Sequence, residues 1–175
     1  MWISSLKKGK LNVLDFGGAL GTSYNQNLLF LKSLSEFNWC IVEQPHFVIA
    51  GNNSFSNHNL HFFYSIDECI SKCNIDIILL SGVIQYVEKP YLLLEEIISK
   101  NFEYIIIDRT LFVNSVKDRL TIQKVPRKIY KAKYCCWVLS ESRLLSLMLN
   151  RYELIYDFEI KENINIKSSY KGYLF

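Results

Sequence analysis

A chain of 175 residues, half of them hydrophobic and 14% aromatic, carries enough apolar material for one buried core and excludes disorder on a large scale. Its formal charge of +3 is too small by itself to argue for nucleic acid. Residues Met1 to Lys10 hold three lysines but no apolar core of signal-peptide length, and the longest apolar stretch, Ile75 to Ile84, is far short of the ~20 residues a membrane helix needs.

The expectation is therefore a single cytoplasmic domain over residues 1–175 with no transmembrane segment. The five cysteines fit that compartment. Cys40, Cys69, Cys73, Cys135 and Cys136 are odd in number, contain no C-x-x-C pair and read as reduced, mostly buried thiols. Cys69 and Cys73 share one helical face, but two thiolates without further ligands make a poor zinc site, so no metal is expected.

The elements alternate along the chain. Leu11–Phe16 is a short apolar run ending in an acid and a glycine, the pattern of a buried parallel strand. Thr22 or Ser23 can cap a helix whose apolar face is Leu28, Leu29, Leu31 and Leu34. Trp39–Glu43 is a second strand, stopped by Pro45, and Leu60–Tyr64 a third, followed by a short helix capped by Ser65 or Asp67. Asp76–Leu80 is a fourth, and Pro90 then opens a helix rich in Leu and Ile. Tyr104–Asp108 is a fifth strand. Residues Ser140 to Asn150 form a further amphipathic helix, and Tyr152–Ile160 with Tyr170–Phe175 pair as an antiparallel hairpin. The sum is an α/β fold, a doubly wound Rossmann-like sheet that is mostly parallel and closes on antiparallel strands.

In such sheets ligands bind beyond the carboxyl ends of the strands, near the switch in strand order. The first strand ends D-F-G-G-A-L-G, at Asp15, Gly17, Gly18 and Gly21. Glycines here let the chain turn tightly and bring a ligand against bare backbone, and the helix start presents free N–H groups to a carboxylate. The spacing differs from the dinucleotide fingerprint G-x-G-x-x-G, and residues 11 to 31 contain no Lys or Arg to clamp a phosphate. A zwitterionic amino-acid moiety fits better, its carboxylate on the backbone N–H groups and its ammonium on Asp15. Taken alone, the motif is also what any tight strand-to-helix turn would need. Glu43 ends the second strand 22 residues after Gly21, where an acid accepts hydrogen bonds from ribose hydroxyls and repels a 2′-phosphate.

With these blocks in order, V-L-D-F-G-G-A-L-G-T-S-Y, W-C-I-V-E-Q-P-H-F-V, L-L-S-G-V-I-Q-Y-V-E-K-P and Y-I-I-I-D-R-T, the sequence resembles a family of class I S-adenosylmethionine (SAM)-dependent methyltransferases met among bacterial surface-polysaccharide genes. The resemblance runs from about Leu11 to the C-terminus and includes Q-K-V-P-x-x-I-Y and the terminal Y-K-G-Y-L-F. It implies SAM as cofactor, with Asp15, Gly17, Gly18 and Gly21 at its methionine end and Glu43 at its ribose. It further implies Gln44, Ser65 and Ile66 near the adenosine, and Ser81 and Gly82 under the sulfonium. Members of that family usually carry helices before the first strand, whereas ten residues stand there in this chain.

Methyl transfer from a sulfonium needs chiefly alignment of the acceptor, and its deprotonation if it is a hydroxyl. Asp108 is the first candidate base, with Arg109 orienting an acidic acceptor; Tyr86 and His46 are further candidates. An ordinary ion pair or cap at a strand end accounts for Asp108 and Arg109 equally well, and Tyr86 can simply pack. His58 and His61 read as structural. Between Lys117 and Lys133 lie seven basic residues and one acid, a net +6, while the rest of the chain sums to −3. A solvated face is the bland account of such a run. A basic lid that attracts an anionic acceptor, with Tyr130, Tyr134 and Trp137 to meet a sugar ring, is the sharper one. The reading is a transferase that methylates a small-molecule or glycan-type acceptor, most simply at oxygen, with no nucleic-acid partner. The alternatives are an NAD-dependent oxidoreductase and a catalytically inactive SAM-fold interaction protein.

Overall fold

The computed structural model describes residues 2–128, 131–161 and 165–175. Two compact units divide the chain, Met1–Ser81 with Phe102–Ile105, and Gly82–Asn101 with Ile106–Phe175.

The first unit is built on four parallel strands, β1 (Lys10–Phe16), β2 (Glu36–Val42), β3 (Leu60–Phe63) and β4 (Ile77–Ser81), in the spatial order β3-β2-β1-β4. Buried residues run consecutively through Val13–Asp15 and Trp39–Val42, as expected of strands covered on both faces. Because β2 and β4 flank β1 on opposite sides, the strand order switches direction at β1, and the crevice of such a sheet opens there.

A short N-terminal helix, α1 (Trp2–Leu6), precedes β1, and Lys7 after it pairs with Asp76 and Glu103. Helix α2 (Thr22–Leu31) begins on Gly21 rather than on a Thr or Ser side chain, and no side chain among the described residues caps it. Its buried face is Tyr24 with Leu31; of the expected leucines, Leu28 and Leu34 are partly buried and Leu29 faces outward. Tyr24 packs edge-on against Trp39, with ring centroids 6.3 Å apart, which turns Leu29 outward to 79% exposure. Pro45 does not end a strand in coil. It sits in the first turn of α3 (Pro45–Ser54), a helix with only a weak apolar stripe, seated through Val48 and through Gly51 against Phe62. Helix α4 (Ile66–Lys72) has the expected Ser65 cap, completed by Glu68 reaching back to the Tyr64 N–H.

The second unit carries α5 (Pro90–Ser99), the greater part of β5 (Tyr104–Val113), β6 (Arg119–Lys124), β7 (Lys133–Ser140), α6 (Glu141–Met148), β8 (Tyr156–Ile160) and β9 (Ser169–Leu174). The C-terminal pair is the expected antiparallel hairpin, and β9 lies antiparallel on β5. At its core Phe112 meets Tyr173 edge-on and Phe175 stacks on Tyr173. Strand β5 outruns its expected end at Asp108 by five residues, through a register shift between Ile107 and Thr110.

The basic window, read as a lid, is largely a second hairpin. Strands β6 and β7 pair antiparallel from Arg119↔Val138 to Lys124↔Lys133, and β7 meets β5 only at Phe112↔Leu139 and Val113↔Ser140. Alternation of polar and apolar residues (R-L-T-I-Q-K) is the strand signal, and the charge count masked it. The amphipathic helix expected from Ser140 is present as α6, with Ser140 as its cap rather than its first turn. Tyr130, counted among the aromatics of that window, lies outside the described residues.

Candidate functional site

In the first unit the parallel strands place Asp15, Glu43, Ser65 and Ser81 at one edge, at or just past the carboxyl ends of β1, β2, β3 and β4. Past β1 the chain turns over Gly17, whose N–H donates to Val42 (2.9 Å), and reaches α2 through Gly21 in the left-handed region, φ +92°. Asp15 is buried at 1% exposure, and its Oδ2 accepts a hydrogen bond from the Trp39 indole Nε1 at 3.0 Å. Gly18 rests directly on this carboxyl group: a Cβ there would stand 2.6 Å from Asp15 Cγ and Oδ2. The acid thus supports the loop.

Glu43 is half-buried, and its Oε2 accepts from the Gln44 N–H (2.6 Å), which fixes the carboxylate at the strand end. Gln44 is exposed, the residue before α3. The Ser65 hydroxyl is spent on capping Glu68 N–H (3.1 Å) and the Ile66 side chain is buried at 3%, so these two shape the loop after β3 while Tyr64 projects outward. His61 is partly buried, which holds its imidazole pKa below the usual value. Cys40 and Cys73 are instead pushed up in pKa, Cys40 by hydrogen bonding to Cys69 and then burial, Cys73 by burial to about 11, so both remain thiols. Among the described residues no cluster of His, Cys, Asp and Glu could hold a metal ion.

In the second unit the register shift of β5 forms a small bulge at Asp108 and Arg109. Arg109 has φ +47°, its N–H donates to Asp108 Oδ1 (2.6 Å), and the Gly82 N–H donates to the Asp108 carbonyl (2.8 Å). Gly82 lies against the Arg109 side chain, 3.7 Å from a notional Cβ to Nε. The sequence reading missed the residue that braces this bulge. Gln85, 2% exposed, donates from Nε2 to the Arg109 carbonyl (3.1 Å), while its buried Oε1 meets no partner among the described residues. Nothing in the local sequence marks it, since a lone amide after a strand is unremarkable. Tyr86 is turned to the hairpin: its hydroxyl donates to Gln123 Oε1 (2.9 Å), its ring meets Tyr134 edge-on at 5.5 Å, and burial pushes its pKa up to about 12. His46 stacks on Phe47 in the first turn of α3.

No family profile matches the chain and no curated protein matches it in sequence. Solved structures do match its fold. The N-terminal domain of EvdMO1, solved with S-adenosylhomocysteine and D-fucose, superposes with a TM-score of 0.66 at 13% identity, covering 99% of this chain and 78% of that one. A SAM-dependent methyltransferase from Methanosarcina mazei gives 0.67 at 11% identity, over 99% and 94%. The glycopeptide N-methyltransferase MtfA, solved with sinefungin, gives 0.56 at 9% identity, over 99% and 90%. The chain has the class I methyltransferase fold, mixed α/β with a mostly parallel sheet and antiparallel strands at its C-terminal end.

Proposed function

We propose that this chain is a SAM-dependent methyltransferase, a single domain comprising both units, which transfers a methyl group to a small-molecule or glycan-type acceptor at oxygen. The observation that carries the reading is the loop from Asp15 to Gly21, seated on a buried carboxylate and followed at the same sheet edge by Glu43. A zwitterion fits it. Gly17, Gly18 and Gly21 would turn the chain closely past the methionine end, and the start of α2 would take its carboxylate. The negative charge of Asp15 would favour the ammonium, and Glu43 Oε1 would accept from the ribose hydroxyls. Gln44, Ser65, Ile66 and Ser81 would border the adenosine and sulfonium ends.

SAM supplies a methyl carbon activated by the sulfonium; the protein has to align the acceptor and hold its proton. Asp108 is given the base role, oriented by the Arg109 N–H, and the exposed Arg109 guanidinium the task of steering an acidic acceptor. Gln85 keeps the bulge that presents both, and Gly82 leaves room beside Arg109. Tyr86, neutral at physiological pH, is assigned to anchoring the hairpin rather than to proton transfer. A glycan-type acceptor draws support from D-fucose in the EvdMO1 domain and from the glycopeptide named for MtfA. An anionic one draws support from the +6 window. Surface-polysaccharide synthesis in the cytoplasm would suit both.

Thermal unfolding with SAM, S-adenosylhomocysteine and NAD tests the reading. The first two should raise the midpoint and NAD should leave it unchanged. Stabilisation by NAD alone would make the chain an oxidoreductase. Binding of SAM without methyl transfer to any glycan, nucleotide sugar or small hydroxylic acceptor would make it an interaction protein.

A further inference from the structure

The hairpin β6–β7 has two unlike faces. The register places Thr121, Gln123, Tyr134, Cys136 and Val138 on one side, and Cys136 and Val138 are buried there. The other side carries Leu120, Ile122, Cys135 and Trp137. Leu120 is 53% exposed and Ile122 67%, and Val116, just before β6, is 80% exposed. No element covers this stripe among the described residues, and β6 ends the strand path. Lysines continue the same face, for Lys124 lies opposite Lys133, and Arg127, Lys128 and Lys131 in the connection are exposed as well.

The base of the hairpin is rigid. Asp118 accepts from the Tyr91 hydroxyl (2.6 Å), the Ser140 N–H (2.7 Å) and Arg143 Nη1 (2.6 Å), and the Arg143 guanidinium lies 3.8 Å over the Tyr91 ring. A shallow cavity of about 220 Å³ opens beside this network and includes Trp137.

We propose that this face docks the protein onto an anionic lipid bilayer, with Leu120 and Ile122 entering the headgroup–acyl boundary. Trp137 would lie at headgroup level and the lysines and arginines at the hairpin tip would meet lipid phosphates. The inference does not depend on methyl transfer. An aliphatic stripe continued by cations matches the two layers of an anionic membrane surface, apolar below and negative above. Other partners match it less well. A single-stranded nucleic acid would need aromatic platforms for its bases, and the most exposed groups here are aliphatic. A second copy pairing along the β6 edge would bring two +6 windows together, and lysines on an edge oppose such pairing.

The test is co-sedimentation of the full chain with phosphatidylcholine vesicles, with and without phosphatidylglycerol. Binding should require phosphatidylglycerol and weaken as salt shortens the screening length to ~10 Å at 0.1 M. Leu120→Ser with Ile122→Ser should lower vesicle partition about tenfold or more, and Lys124→Ser with Lys131→Ser by a similar factor, about fivefold per cation. Both pairs are exposed, so their thermal midpoints should stay at the parent value; Ile122→Ser alone repeats the test if the first pair does not fold. Absence of binding by the parent overturns the proposal. So does equal binding to pure phosphatidylcholine, or unchanged binding by the aliphatic variant. Self-association in light scattering that this variant abolishes, without vesicle binding by the parent, would assign the face to a second copy instead.

Discussion

The Trp39 indole donates a hydrogen bond to a carboxylate that is itself almost wholly buried, Asp15, 3.0 Å away. A buried charge must be hydrogen-bonded to persist, so the second strand stabilises the acid on which the glycine loop of the first strand rests. Trp39→Phe keeps the ring and removes the donor. We expect a stability loss of about 1.5–3 kcal/mol, the range for hydrogen bonds to charged groups, in urea unfolding. Weaker S-adenosylhomocysteine binding in calorimetry should accompany it. A variant as stable as the parent would show that Asp15 does not rely on this bond.

Gly18→Ala tests the seat itself. Its methyl group would meet the Asp15 carboxyl at 2.6 Å, and the acid, held by Trp39, has little freedom to withdraw. Overpacking of this kind costs about 1–3 kcal/mol. The loop should also lift, so cofactor affinity should fall together with the unfolding midpoint. A fall in the midpoint with unchanged affinity would separate the loop from the cofactor.

Glu43→Ala should behave differently. The side chain is half-buried and bonds to the next N–H within its own loop, so the fold should hold while affinity for SAM drops at least about tenfold, as charge-assisted bonds to the ribose are lost. Glu43→Gln should fall between the two, since the amide still accepts but without charge. Isothermal calorimetry on the three proteins orders them, and an unchanged dissociation constant in Glu43→Ala would place the ribose elsewhere.

Acid pH tests the join of α6 to β9. Glu141 accepts from Lys171 Nζ at 2.8 and 2.9 Å and from the Tyr173 hydroxyl at 2.6 Å. Partial burial pushes its carboxyl pKa up, and the Lys171 and Tyr173 bonds outweigh that and hold it below the usual range. A depressed pKa in the folded state means stability that is complete above the unfolded value of about 4.3 and is lost as pH falls through the folded one. Glu141→Gln should therefore cost about 1–3 kcal/mol at neutral pH, and the gap to the parent should close below about pH 4. Denaturant titrations at several pH values measure it, and a gap independent of pH would refute the linkage.

Residues that repeat a local rule were legible in the sequence. The apolar runs of β1, β2 and β4, the Ser65 cap, Pro90, the amphipathic α6 and the C-terminal hairpin all announce themselves through spacing or capping chemistry. So does the string from Asp15 to Gly21 with Glu43, because parallel strands bring their carboxyl ends to one edge. Helix α3 escaped notice because Pro45 reads both as a stop and as a start, and its small buried face leaves little periodicity. The face of α2 was misjudged because an aromatic pair, Tyr24 on Trp39, outranks a leucine count. The bulge at Asp108 and Arg109, and Gln85 beneath it, are products of register and long-range bonding, which no window of neighbouring residues contains.

The second hairpin departs from β5 at Val113 and returns where Ser140 pairs with Val113. Its two ends therefore meet at one point, clasped by the Ser140 hydroxyl on the Ser115 carbonyl at 2.6 Å and by Asp118 on the Ser140 N–H. The segment between is an excursion whose entry and exit coincide, so its length and sequence can drift without moving β5, β9 or α6. Natural variation in what the protein recognises should accumulate there, like an exchangeable tool head on a fixed handle. A transplanted hairpin from a relative could be received at that point without rebuilding the sheet.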